Sequence, residues 1–89
     1  MNLFQILLNL HDFPDNETIY AVEPWTLESE AEVVLEPATG LIHFSRDAKM
    51  FEYFLEVATA KALYQQLEIH NVCTQAQCQH IIEYAIDNA

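Results

Sequence analysis

Charge is distributed unevenly along this chain of 89 residues, and that distribution limits how the chain can fold. The formal charge at pH 7 is −11, from 14 acidic and 3 basic side chains. Residues 1–45 contain eight of the acids and no Lys or Arg, whereas Arg46, Lys49 and Lys61 all lie in the second half. Repulsion within the first half disfavours a compact state, and the same field attracts basic partners. We therefore expect one acidic face rather than an evenly acidic surface.

The composition excludes several classes of protein. An apolar share of 52% supplies enough material for a hydrophobic core, so disorder is not expected. Three cations cannot neutralise a track of phosphates, which excludes nucleic acid binding through a basic patch. No apolar run reaches the ~20 residues of a membrane span, and the apolar N-terminus lacks the flanks of a signal peptide. We predict a single domain over residues 1–89, located in the cytoplasm.

The first half of the chain predicts a helix followed by strands. Residues 1–10 alternate apolar and polar side chains at helical spacing, which predicts an amphipathic helix that ends before Pro14. Residues 18–22 and 32–35 have the composition of strands. Residues 41–44 form either a third strand or an ordered loop. The proline and glycine between the last two segments suit the turn of a hairpin.

The second half predicts two helices. Residues 50–67, which Ser45 can cap, predict a helix that is apolar around more than half its circumference and therefore central. A last helix of about 14 residues begins at residue 74. Its apolar stripe consists of Cys78, Ile81, Ile82, Ala85 and Ile86. The fold class that follows is α+β: an N-terminal helix, a small antiparallel sheet of two or three strands, then two helices packed on the sheet.

Four residues of metal-ligand type lie close together in the sequence: His70, Cys73, Cys78 and His80. Their spacing matches no standard zinc motif, and on an ideal helical wheel His80 lies about 200° from the apolar Cys78. A disulfide between the two cysteines would close too short a loop to stabilise the fold much. We expect a buried Cys78, histidines in solvent, no bound metal and no cofactor.

No sequence motif brings an acid, a base and a nucleophile together. Gly40 is the only glycine, so a glycine-rich phosphate-binding loop is excluded. Glu52 and Glu56 are one turn apart on the predicted central helix, where like charges are usually solvated. We predict that the protein is not an enzyme. The alternative is a small ligand-binding domain or enzyme built around Glu23, Glu56 and Lys61.

Two side chains depart from their local pattern. Lys61 falls within the apolar arc of the predicted central helix. Either its stem lies along apolar surface with the ammonium group in solvent, or it forms a structural ion pair with an acid from residues 17–32. Trp25 stands among acids on a predicted loop. It either covers the core or anchors a partner.

Several segments of the chain resemble a known family. The strings ETIYAVEPWT at residues 17–26, SEA at 29–31, VVLEP at 33–37 and YFLEVATAK at 53–61 are similar to those of small, acidic, bacterial single-domain proteins of uncharacterised function. The resemblance covers roughly residues 15–65. It implies a bacterial cytoplasmic protein and brings no activity, cofactor or substrate with it. The size and acidity of this family are similar to those of toxin-immunity proteins, an analogy of class alone.

These features favour a non-enzymatic acidic interaction protein, an immunity-type or regulatory inhibitor of a basic protein. The expected partner-binding residues are the acids and the tryptophan of one segment: Glu23, Trp25, Glu28, Glu30 and Glu32. One alternative is a structural domain that forms a homodimer through the apolar face of residues 1–10. Another is that the acidity only maintains solubility.

Overall fold

The computed structural model describes residues 1–35, 43–46, 48–69 and 74–87, with the backbone alone described for residues 43–46, 68 and 69. The elements are α1 (Leu3–Leu8), a 3₁₀ turn (Leu10–Asp12), β1 (Glu17–Ala21), β2 (Ala31–Leu35), β3 (His43–Arg46), β4 (Lys49–Glu56), α2 (Val57–Ile69) and α3 (Thr74–Asp87). Within these ranges, no helix combines the length and apolarity that crossing a membrane would need.

Helix α1 begins with a complete capping box. The Asn2 Oδ1 atom accepts a hydrogen bond from the Gln5 backbone at 2.8 Å, and the Gln5 side chain accepts one from the Asn2 backbone at 2.9 Å. The predicted amphipathic helix is confirmed, because Leu3, Ile6 and Leu7 are buried. They are buried within the chain itself, so a homodimer through this face would have little apolar surface available.

The four strands form one antiparallel sheet in the order β2-β1-β4-β3. β1 is an inner strand, and its last residue, Ala21, lies between Ala31 of β2 and Glu52 of β4. The chain leaves β1 through residues 22–30, which we call the Trp25 loop, and returns as β2. This loop therefore lies at the same end of the sheet as the beginning of β4.

A register irregularity in the β1–β4 ladder allows β4 to bury two consecutive side chains on one face. Ile19 pairs with Leu55 and Tyr20 with Tyr53, so Phe54 has no partner of its own on β1. A strand with such an extra residue turns neighbouring side chains toward the same face. Phe54 and Leu55 accordingly both belong to the core.

The core lies between one face of the sheet and the three helices. Its buried members are Leu3, Ile6, Leu7, Leu10, Ile19, Ala21, Ala31, Phe54, Leu55, Val57, Ala60, Cys78, Ile81, Ile82 and Ala85. Since successive side chains of a strand point to opposite faces, Tyr20 lies on the other face, and it is fully buried there. Phe51 is also buried outside this cluster. The sheet is therefore apolar on both faces.

The prediction of one helix over residues 50–67 was wrong. The first part of that segment is strand β4, and the helix α2 begins only at Val57. β4 is an inner strand between β1 and β3, so it carries apolar side chains on both faces. A short apolar run of this kind has no helical or strand period that would distinguish the two structures. Its aromatic side chains, Phe51, Tyr53 and Phe54, are typical of strands.

The predicted hairpin between residues 32–35 and 41–44 was also wrong. β3 pairs with β4, while β2 lies at the opposite edge of the sheet. Ser45 lies within β3 and pairs with Met50, so it does not cap a helix. Residues 36–42, which include the predicted turn and the first half of the third predicted strand, lie outside the described residues.

The α+β class is confirmed, with an N-terminal helix, an antiparallel sheet and two helices packed against it. The sheet has four strands rather than two or three because β4 was predicted as helix. The last helix, α3, has the 14 residues expected, and its buried side chains include Cys78, Ile81 and Ile82. Ile86 is the exception within the predicted stripe, because its side chain is exposed.

The turn between β3 and β4 suggests a stabilising substitution. Arg46 pairs with Lys49, so the turn has two residues, and Ala48 adopts a φ of 63° in the left-handed region. Two-residue hairpin turns favour glycine there, because a Cβ atom is disfavoured at positive φ. We expect Ala48→Gly to raise the free energy of unfolding by about 0.5–1 kcal/mol in urea denaturation.

The matched control is the same change on an exposed position inside helix α2. Ala62→Gly should lower the free energy of unfolding by about 1 kcal/mol, because glycine is a poor helix former. Destabilisation by both substitutions would contradict the positive φ at Ala48.

Candidate functional site

The Trp25 loop is organised around the buried hydroxyl of Ser29. The Ser29 Oγ atom donates a hydrogen bond to the Pro24 carbonyl at 2.8 Å and accepts one from the Thr26 amide at 2.8 Å. The Ser29 amide donates to the Thr26 carbonyl at 3.1 Å. The Glu23–Pro24 peptide bond is cis. These contacts give the loop a defined shape, on which the orientation of its charged side chains depends.

The same loop is joined to the start of helix α1. The Leu3 amide donates to the Ser29 carbonyl at 2.9 Å, and the Phe4 amide donates to the Leu27 carbonyl at 3.0 Å. The first amides of a helix have no partner within the helix, and here the loop carbonyls supply one. The Trp25 loop is thus attached to both the sheet and α1.

Trp25 covers part of the core. Its ring meets the ring of Phe54 edge to face, with centroids 5.1 Å apart and an interplanar angle of 80°. Its Nε1 atom donates to the Ala21 carbonyl at 3.3 Å. The side chain is half-buried rather than fully enclosed. The sequence left two roles open for Trp25, and these contacts are those of a residue that covers the core. The exposed part of its ring lines two surface cavities.

Glu23 and Glu52 form a carboxyl pair across the end of the sheet. Glu23 follows β1 in the exposed loop, and Glu52 lies on β4 beside Ala21. A hydrogen bond between the two side chains raises the pKa of Glu23, and repulsion from the Glu52 charge adds to that shift. The sequence interpretation missed this pair because it placed Glu52 on a helix, where Glu56 was its neighbour.

The remaining acids of the predicted binding segment are divided between two places. Glu28 and Glu30 join Glu23 and Lys49 in lining a shallow cavity of about 320 Å³, which we call the acidic cleft. The Lys49 Nζ atom lies 3.0 Å from Glu30 Oε1, so one of the three carboxylates is neutralised. Glu32 pairs with Tyr20 and lies on the opposite face of the sheet. The structure therefore brings together Glu23, Glu28 and Glu30, and separates Glu32 from them.

Lys61 forms a structural ion pair. Its Nζ atom lies 2.6 Å from Asp15 Oδ1 and donates a second hydrogen bond to the Phe13 carbonyl at 2.8 Å. The partner is Asp15, just before β1, rather than an acid from residues 17–32. The pair therefore ties α2 to the segment between the 3₁₀ turn and β1.

The residues of the alternative ligand-binding or catalytic site do not share a pocket. Glu23 lines the acidic cleft, and Lys61 lines a separate cavity of about 290 Å³ beside α1. Glu56 is exposed at the other end of the sheet, where it pairs with Thr18. Among the described residues, these three side chains are dispersed over the surface.

Cys78 and His80 lie on different faces of α3. Cys78 is a fully buried free thiol, and burial raises the pKa of that thiol to about 11. His80 is exposed and lies 4.0 Å from Glu83. His70 and Cys73 lie outside the described residues. In the described part of the chain, no three side chains of His, Cys, Asp or Glu are grouped as a metal site would require.

Comparison with known proteins identifies no relative: no family model, curated sequence or solved structure matches the chain. The family resemblance carried by residues 15–65 therefore stays a prediction. The function is therefore inferred from the geometry of the Trp25 loop and its neighbours.

The Lys61 ion pair predicts an asymmetric effect of substitution. The Lys61 side chain is 29% exposed and that of Asp15 is 70% exposed. Lys61→Met keeps the apolar stem but removes both hydrogen bonds, and we expect it to lower the free energy of unfolding by about 1–2 kcal/mol. Asp15→Asn should lower it by less than about 0.5 kcal/mol, because exposed ion pairs contribute little. Urea denaturation measures both, and equal losses would contradict the asymmetry.

The carboxyl pair predicts a pH-dependent effect on stability. The folded protein holds the Glu23 proton more tightly than the unfolded chain does, so the pair is stabilised at low pH. That stabilisation is lost as the pH rises through the raised pKa. Glu23→Gln should therefore raise the melting temperature at pH 7, and the gain should disappear near pH ~4.

Thermal melts followed by circular dichroism test this expectation. Glu28→Gln is the control, because it removes the same charge from the same cleft without affecting the Glu23–Glu52 contact. An equal rise in melting temperature for both variants at pH 7 would show that general acidity, and not the pair, is responsible.

Proposed function

We propose that this protein is a non-enzymatic acidic binding protein whose partner is a basic protein. The acidic cleft and the neighbouring Glu23–Glu52 pair form the binding surface. The form of this function that the size and acidity suggest is an immunity-type or regulatory inhibitor in the bacterial cytoplasm.

The observation that carries the proposal is the acidic cleft, whose lining includes the carboxylates of Glu23, Glu28 and Glu30. Beside it, a hydrogen bond with Glu52 and repulsion from the Glu52 charge raise the pKa of Glu23, so the two carboxylates repel each other when both are ionised. Glu28 adds a further exposed carboxylate in the same loop. A cation from a partner would relieve the repulsion and form charge-assisted hydrogen bonds with both carboxylates.

The overall charge supports the same conclusion. A net charge of −11 on a chain of 89 residues attracts a basic partner over several ångströms and accelerates the encounter. Among the side chains that the structure describes in the lining of the cleft, the cation is Lys49, and it forms an ion pair with Glu30. The cleft therefore keeps a negative balance.

Two other functions have less support. A homodimer through residues 1–10 would need the apolar face of α1, and Leu3, Ile6 and Leu7 are buried within the chain. A catalytic or ligand-binding site around Glu23, Glu56 and Lys61 would need one shared pocket, and these side chains are dispersed. The binding of a basic protein needs neither.

Capture of a partner at two salt concentrations tests the proposal. The full chain is immobilised and exposed to a lysate of the source bacterium, and the retained protein is identified, purified and titrated calorimetrically. We expect a basic protein that binds with defined stoichiometry. Its affinity should fall at least about ten-fold between ~0.05 M and ~0.5 M NaCl, because salt screens exposed charges.

A pair of double variants provides the control. Glu23→Gln with Glu28→Gln should weaken binding strongly, whereas Asp12→Asn with Glu56→Gln removes the same charge far from the cleft and should weaken it only slightly. An acidic partner, an affinity insensitive to salt, or equal effects of the two double variants would each overturn the proposal.

A further inference from the structure

Beside the acidic cleft lie two open cavities that share one wall. Their volumes are about 210 Å³ and about 230 Å³, and Trp25 lines both of them. Glu23, Pro24 and Ile86 complete the first cavity. The second lies against β4 and α3, with Phe54 and Tyr84 among its lining residues. We call the two together the Trp25 groove.

The walls of this groove expose apolar surface that the fold does not cover. Ile86 is 51% exposed and Tyr84 is 40% exposed, although both lie near the end of α3. Ile86 departs from the otherwise buried stripe of its helix, as noted above. Exposed apolar side chains that line a cavity bordered by charge are typical of an interaction site.

The charge at the edge of the groove indicates what fits it. Glu23 lines the first cavity, and Glu52 lies on β4 opposite Ala21, two residues before Glu23 in the chain. An occupant must therefore combine an apolar body with a cationic end. Long basic side chains have this construction, because an aliphatic stem carries the charged group.

We propose that the Trp25 groove receives an arginine side chain of the basic partner. This inference depends on the proposed function and names the contact by which the partner is recognised. The guanidinium group donates hydrogen bonds to the carboxylates of Glu23 and Glu52, and the stem lies against Trp25 and Ile86.

Arginine fits this site better than lysine for two physical reasons. Its planar guanidinium presents several N–H donors in a fixed fork, which suits two adjacent carboxylates. The guanidinium is also weakly hydrated and stacks on aromatic faces, so it binds beside the indole ring of Trp25 at a lower desolvation cost. A lysine ammonium is a compact, strongly hydrated charge.

The only tryptophan of the chain is the reporter for the test. The full chain, labelled with ¹⁵N, is titrated with N-acetyl-arginine amide while the indole N–H resonance of Trp25 is followed. We expect a saturable shift of this resonance. N-acetyl-citrulline amide, which has the same shape and no charge, should give no saturable shift, and the lysine analogue should bind more weakly than arginine.

Matched variants separate the groove from general acidity. Glu52→Gln should weaken binding of the arginine probe at least about ten-fold, because it removes one charged acceptor, whereas Glu56→Gln, at the other end of the same strand, should change it less than about two-fold. Ile86→Ala should weaken binding, while Leu35→Ala, an exposed apolar position at the far end of the sheet, should not. Ile86 and Leu35 are both exposed, so the two truncations should leave the fold intact.

The outcomes distinguish this inference from the proposed function. Absence of a saturable shift, equal binding of the citrulline analogue, or equal effects of Glu52→Gln and Glu56→Gln would overturn the arginine site. If the captured basic protein still binds in a salt-dependent manner, only the arginine site fails. If neither the probe nor a basic protein binds, the proposed function fails as well.

Discussion

The hydrogen bonds between the Trp25 loop and the first turn of α1 hold the rest of the arrangement in place. Helix amides without an internal partner need acceptors, and the carbonyls of Leu27 and Ser29 provide them. Because the loop is fixed at α1 and at both strands that it joins, Trp25 is held over Phe54. The position of Glu23 beside Glu52 depends on the same constraint. The hydrogen bonds that satisfy the first amides of α1 thus fix the shape of the candidate binding surface.

This arrangement determines where the acidic side chains of the molecule lie close together. A uniformly acidic surface would repel itself evenly and would favour solubility without favouring a partner. Here Lys49 forms an ion pair with Glu30, while the neighbouring carboxyl of Glu52 raises the pKa of Glu23. Lys61 serves the fold through Asp15 and the Phe13 carbonyl and takes no part in the cleft. The acidic character is therefore concentrated where apolar surface is also exposed.

The fold could be predicted from the sequence at its ends but not in its middle. The helical period of residues 1–10, the β-branched composition of β1 and the stripe of α3 each allow one interpretation, and the structure agrees with each. β4 is apolar on both faces, and such a run fits a buried strand as well as a helix. The turn before it has Ala48 rather than glycine at positive φ, so the usual signal of a hairpin was missing.

The sequence by itself determined the α+β class, the excess of acid in the first half and the residues of the Trp25 loop. It also identified Lys61 and Trp25 as departures from their local pattern and left two roles open for each. Only the tertiary structure decided which acids meet, because pairing across strands depends on register. Because residues 49–56 form a strand and not a helix, the acidic neighbour of Glu52 is Glu23 rather than Glu56. The groove between Trp25 and Ile86 is likewise a property of packing, since its walls come from a loop and a helix that are distant in sequence.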